Sequence, residues 1–151
     1  MFLRETPSQP ESTAITSPIG HEGMGAALGN VPTDYVGLIE SGNQYMDAGD
    51  FPLAAEMYRR ALEIDGHSPD VRTDFGACLH AMGLPERALD EFRTVSEEHP
   101  EHTIVRFNMG IVHYGQGRLD SARQYWESFL QVSPDGEPAE KARTYLEEMG
   151  S

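Results

Sequence analysis

One cysteine, Cys78, stands in a chain of 151 residues. That scarcity removes an internal disulfide and any paired-thiol metal or redox motif, and it predicts a small buried hydrophobe at this position. Basic residues are also few: 11 Lys and Arg oppose 25 Asp and Glu, for a formal charge of −14. Such a surface repels phosphate backbones and anionic lipid over a Debye length. Nucleic acid and membrane are therefore not the expected partners, and a protein or peptide segment of apolar or basic character is. No run approaches the roughly 18 apolar residues that a spanning helix needs. The opening MFLRETPSQPESTAITSPIG lacks a basic n-region, an apolar h-region and the arginines of a transit peptide, so the expected location is cytoplasmic.

What is present divides in two. Residues 1–32 hold four prolines together with many Ser, Thr and Gly and almost no aromatic side chain. A segment of that composition buries too little surface to offset chain entropy, and a disordered N-terminal arm is expected. Its GMGAALGN patch is either a linker or an element that folds back on the domain.

From Tyr35 the chain repeats itself. YVGLIESGNQYMDAGDFPLAAEMYRRALEIDGHS, PDVRTDFGACLHAMGLPERALDEFRTVSEEHPEH and TIVRFNMGIVHYGQGRLDSARQYWESFLQVSPDG align without a gap, each 34 residues long. Gly42, Gly76 and Gly110 share the eighth position, Gly49, Gly83 and Gly117 the fifteenth, and Ala54, Ala88 and Ala122 the twentieth. Tyr58, Phe92 and Trp126 share the twenty-fourth. Each unit reads as two helices joined at a Gly turn, about 35–48 and 52–65 in the first copy. Pro52 and Pro85 fall in first turns, where the missing N–H does little harm. A Gly inside a helix costs about 1 kcal/mol relative to Ala. Its repetition at the eighth position predicts that another helix presses on the backbone there, with the alanines as the opposing surface.

These residues resemble the tetratricopeptide repeat family, in which a small residue in the first helix, a turn Gly, and an Ala then an aromatic in the second helix recur, with a Pro near the end. Pro100 and Pro134 match that Pro, and Gly66 replaces it in the first unit. The resemblance implies an all-α solenoid, a right-handed superhelix of antiparallel helix pairs, with repeats 35–68, 69–102 and 103–136. One pair cannot cover its own apolar face, so units stack and the last is capped. EPAEKARTYLEEM, 137–149, supplies the cap through an apolar stripe of Ala139, Ala142, Leu146 and Met149. The twenty-seventh position grows from Ala61 through Val95 to Phe129, as a looser final junction requires.

Signs of catalysis are missing. The histidines are scattered, and only HPEH, 99–102, sets two close together, across Pro100 and without Cys or an HExxH pattern. They read as solvated turn residues. His113 falls on the core side of its helix and reads as packed and hydrogen-bonded. GMGAALG lacks the Lys-Ser/Thr pair of a phosphate loop and follows no strand. The acidic runs near 96–102 and 147–148 read as solvated faces. No enzyme activity, cofactor or metal is expected.

The same resemblance implies where a partner sits. In the family the first helices line a concave groove, and carried onto this chain the positions are Val36, Ile39, Asn43, Met46 and Asp47 in the first unit. The second unit supplies Asp70, Thr73, Ala77, His80 and Ala81, and the third Ile104, Phe107, Ile111, Tyr114 and Gly115. Some members clamp an acidic chaperone tail with two Lys, two Asn and an Arg. Here those positions hold Ile39, Asn43, Asp74, Ile104 and Asn108, only Asn43 agrees, and Asp74 repels a carboxylate. Covering Phe107, Ile111 and Tyr114 would contribute on the order of 2 kcal/mol each before ordering costs, a micromolar peptide affinity. Asp47 and Asp70 would steer a Lys or Arg. The implied function is a non-catalytic adaptor or assembly module that takes a peptide or helical segment. Three alternatives stand beside it. FGACLHAMGLPERAL, 75–89, looks like the second repeat of small acidic type III secretion chaperones; the repeats self-associate, as a homodimer for example; or the cap helix or the 24–33 segment fills the trough.

Overall fold

In the computed structural model the described residues are 30–150; residues 1–29 and 151, hence most of the N-terminal arm and its GMGAALGN patch, lie outside them. Among the described residues there are helices and no strands. The elements are α1 (Tyr35–Asp47), α2 (Phe51–Ile64), α3 (Pro69–Ala81), α4 (Pro85–Glu98), α5 (Ile104–Gly115), α6 (Leu119–Val132) and α7 (Glu137–Glu148). They form two compact units divided between Asp65 and Gly66. The first contains the α1–α2 hairpin and the second α3 to α7. This is an all-α solenoid-type fold.

Each helix starts and stops for local reasons. Asp34 caps α1 by accepting from the Gly37 amide at 2.8 Å, and Asp50 and Ser68 cap α2 and α3 in the same way. Pro52, Pro69, Pro85 and Pro138 occupy first turns, where no intrahelical N–H is lost. At the hairpin turns Gly49, Gly83 and Gly117 take φ of 81°, 79° and 74°, the left-handed region that other residues enter at a cost. That turn aims the next amide back into the helix. Asp50, Leu84 and Arg118 donate to the carbonyls of Tyr45, Leu79 and His113 at 2.8–2.9 Å.

Packing inside each hairpin corrects one expectation. Ala54, Ala88 and Ala122 are wholly buried, yet the groups directly over the eighth-position glycines are aromatic rings. A Cβ on Gly42 or Gly76 would stand 2.6 Å from a ring carbon of Tyr58 or Phe92, and one on Gly110 would collide with the Trp126 indole. The large residue of the second helix thus packs directly on the bare backbone of the first. In the third hairpin Trp126 Nε1 donates to the Phe107 carbonyl at 3.1 Å.

Within the second unit, polar ties act both inside a hairpin and between hairpins. Arg72 of α3 donates to Glu91 of α4 at 2.7 Å and to the Gly66 carbonyl at 2.8 Å. Gln116 and Arg118, after α5, both donate to Glu86 of α4. Helix α7 packs on the third hairpin: Ala139 and Ala142 are fully buried against Ala122, Trp126 and Phe129, and Leu146 and Met149 pack alongside. Tyr145, absent from the stripe read in the sequence, packs there too.

Candidate functional site

The first-helix positions fall on two neighbouring helices of the second unit, α3 and α5, and, separately, on α1 of the first. On α1, Ile39 and Met46 are half-buried while Val36, Asn43 and Asp47 are exposed. Asn43 is not idle, because its Oδ1 accepts from the Tyr58 hydroxyl at 2.7 Å.

In the second unit α3 and α5 run side by side. His102, just before α5, places Nε2 3.6 Å from Asp70 Oδ1 near the start of α3. At the other end, a Cβ on Gly115 would stand 3.8 Å from His80 Nε2. Between these ends Ala77, His80 and Ala81 are half-buried and Asp70 is exposed. Thr73 is turned inward: it is 7% exposed and its hydroxyl donates to the Pro69 carbonyl at 2.6 Å. It offers little to a ligand.

The apolar stripe of α5 is largely consumed by the fold. The Phe107 ring lies 5.7 Å from Phe129 and 6.4 Å from Trp126, centroid to centroid. Ile104 and Ile111 pack on the same cluster, which α7 helps to enclose. Tyr114 differs, for it remains 37% exposed. Its ring is 5.6 Å from Trp126 and 5.7 Å from Tyr145, and Tyr145 stacks on Trp126 at 4.8 Å and 13°. The result is a fixed aromatic stack with one edge open.

Sequence reasoning passed over Tyr145 although the signal was present. Helix α7 starts at Glu137, 34 residues after the start of the third unit, so Tyr145 holds the ninth position shared by Asn43, Ala77 and Ile111. The cap is the first helix of a fourth unit in register, and the eighth position is Thr144, exposed, where Gly is no longer needed.

Electrostatics single out Asp74. Its carboxyl is half-buried, and burial, reinforced by the Asp70 charge, pushes its pKa up to about 6. One turn on, burial and then the Asp74 charge push the Cys78 thiol up to about 12, so the buried cysteine is not a nucleophile. Burial also lowers the pKa of His80. Among the described residues no group of three His, Cys, Asp or Glu side chains is placed to hold a metal ion. His99 and His102 are half-buried and lie against Glu101 and Asp70 rather than simply facing water.

His113 corrects another expectation. It is 8% exposed and stacks on Tyr125 at 5.2 Å, but its Nδ1 has no hydrogen-bond partner, and neither does Gln116 Oε1 three residues on. Burial foremost, then the charges of Arg118 and Arg93, lower its pKa against an opposing pull from Glu86.

Comparison with known proteins agrees with this architecture. Two tetratricopeptide repeat profiles match residues 45–102 and 79–137, together more than half of the chain. A small glutamine-rich tetratricopeptide repeat-containing protein 2 of Mycosarcoma maydis is 26% identical over 104 residues, 69% of this chain and 30% of that protein. The first curated relatives are much longer than the matched region, so the chain spans less than a third of their length. The structure of the Yersinia enterocolitica type III secretion translocator chaperone SycD superposes with a TM-score of 0.71 at 14% identity, over 76% of this chain and 88% of that one. PcrH, solved in complex with the chaperone-binding region of PopB, gives 0.68 at 21% identity, over 74% and 94%. At these identities the structural likeness concerns the fold. Three gapless 34-residue units, turn glycines at positive φ, aromatic rings seated on eighth-position glycines, and two matching profiles lead to one conclusion: the chain belongs to the tetratricopeptide repeat family.

Proposed function

We propose that this chain is a non-catalytic adaptor or assembly module whose first-helix face holds a peptide or helical segment of a partner protein, apolar or basic in character. The observation that supports this reading is Tyr114. Among the exposed large apolar side chains of the second unit, Leu119 and Val132 lie on α6, a second helix, whereas Tyr114 lies on a first helix. It is braced by Trp126 and Tyr145, so covering it costs little additional side-chain ordering. A rigid aromatic edge with charged groups nearby is the usual anchor of a protein interface.

Most of Phe107 and Ile111 already serves the core, so the interface is smaller than the stripe in the sequence implies, and Tyr145 of the cap joins it. Burial of one such edge contributes on the order of 1–2 kcal/mol, so a micromolar ligand, which needs about 8 kcal/mol, draws the remainder from its other contacts along the groove. A photocrosslinking amino acid installed at position 114 should capture a discrete partner, whereas the same group at position 132 should not. Equal capture at both positions would refute the groove, and capture only of a second copy of the chain would turn the reading to self-association.

A further inference from the structure

We propose that the α3–α5–α7 face reads two side chains of one extended partner segment: a Lys or Arg at Asp74, flanked by Asp70, and an apolar or aromatic residue against the open edge of Tyr114 and Tyr145. This rests on the groove reading above and specifies its partner.

The charge distribution carries the argument. Arg72, on α3, spends its guanidinium on Glu91 of α4 and on the Gly66 carbonyl. Arg106, on α5, donates to Ser128 of α6 at 3.2 Å. Both cations thereby face the second helices. Lys141, on α7, is 3.3 Å from Glu137 of its own helix. Among the described residues, the basic side chain at ion-pair distance from Asp70 is His102, a cation when protonated. Among the described residues no Lys, Arg or His stands within ion-pair distance of Asp74. A half-buried carboxylate beside a second one, on a face whose own arginines are turned away, is complementary to a cation from outside. A partner's guanidinium would restore the solvation that Asp74 loses by burial and would relieve its repulsion with Asp70.

The spacing between the two subsites is set by helix geometry. Counted within its unit, Tyr114 stands six positions beyond Asp74, about 9 Å along the axis at 1.5 Å per residue. One helix-to-helix step of about 9 Å separates α3 from α5. The diagonal, about 13 Å, corresponds to about four residues of extended chain. Ala77, half-buried, leaves the floor between them low. The partner motif is therefore a basic residue and an apolar residue about four positions apart.

The test is to select a displayed random decapeptide library on the chain, synthesise the enriched peptides and measure their affinities by fluorescence anisotropy. Enriched peptides should carry Lys or Arg about four residues from an aromatic or aliphatic one. Asp74→Asn should weaken them about tenfold or more but leave the norleucine-for-Arg analogue of each peptide unaffected. Tyr114→Ala should weaken both forms, and Val132→Ala neither. Peptides that lose affinity with Tyr114→Ala yet lack a basic residue, or ignore Asp74→Asn, would overturn this inference and leave the groove intact. Peptides indifferent to both variants, or no binders at all, would overturn both. Far-ultraviolet circular dichroism of each variant separates lost binding from lost fold.

Discussion

At the scale of single residues, the pairing of bare backbone with a ring makes the sharpest demand. Gly76→Ala sets a methyl 2.6 Å from the Phe92 ring inside a packed hairpin, and overpacking of this kind costs about 2 kcal/mol. Gly83→Ala meets open space but keeps a φ of 79°, a cost of about 1 kcal/mol. Urea unfolding of the two variants should rank them in that order. The glycines were legible in the sequence because they recur at a fixed period, whereas what covers them was not. Helical spacing says which face a residue shares, and it does not say that a ring four positions past the buried Ala reaches across to lie on the neighbouring backbone.

Two titrating residues give opposite pH signatures. Asp74 has a folded pKa of about 6, above its unfolded value of about 3.9. Its contribution favours folding below the unfolded pKa and is lost as pH rises through about 6. Asp74→Asn should then stabilise the fold at pH 7, by about 1 kcal/mol after allowance for the solvent that still reaches the carboxyl, with the gain vanishing near pH 4. His113 has a lowered folded pKa, so its neutral ring supports the fold above about pH 6.5 and that support is lost as pH falls below it. His113→Leu, which copies Leu79 at the same position of the second unit, also removes the unpartnered Nδ1. Thermal melts at pH 5 and 7.5 should show the variant losing less stability on acidification than the wild type.

At the scale of elements, α7 does two jobs and the sequence disclosed one of them. Counting apolar residues at spacings of three and four from Ala139 found Leu146 and Met149, and skipped Tyr145, which is one place out of that series. Counting the 34-residue period instead assigns Tyr145 to the ninth position of a first helix, the place the structure gives it between Tyr114 and Trp126. Phe107 shows the reverse: family position marks it as a groove residue, while the rings of Trp126 and Phe129 hold it as part of the core. Position within a repeat cannot say how far a neighbouring helix has already covered a side chain. Tyr145→Ala should lower stability by about 2–3 kcal/mol, less than the loss for a fully buried ring, and near-ultraviolet circular dichroism should register the disturbed Trp126 environment. Phe107→Asp should unfold the second unit, whereas Tyr114→Ala should cost about 1–2 kcal/mol and leave it folded.

At the scale of the whole molecule, the proposed recognition divides its labour between the charge of −14 and the aromatic edge. Long-range attraction speeds the approach of a basic segment and fades as salt shortens the Debye length, while the braced aromatic edge sets how long the segment stays. Raising salt from about 0.05 to about 0.5 M should slow association more than it speeds dissociation, a difference that stopped-flow fluorescence of a labelled basic peptide resolves. The central claim, that partners are held on the first-helix face, is tested most directly by titrating a library-selected peptide into the wild type, Tyr114→Ala and Val132→Ala by calorimetry. Affinity should fall about tenfold for Tyr114→Ala alone with the fold intact. An unchanged affinity for Tyr114→Ala, or an equal loss for Val132→Ala, would contradict it.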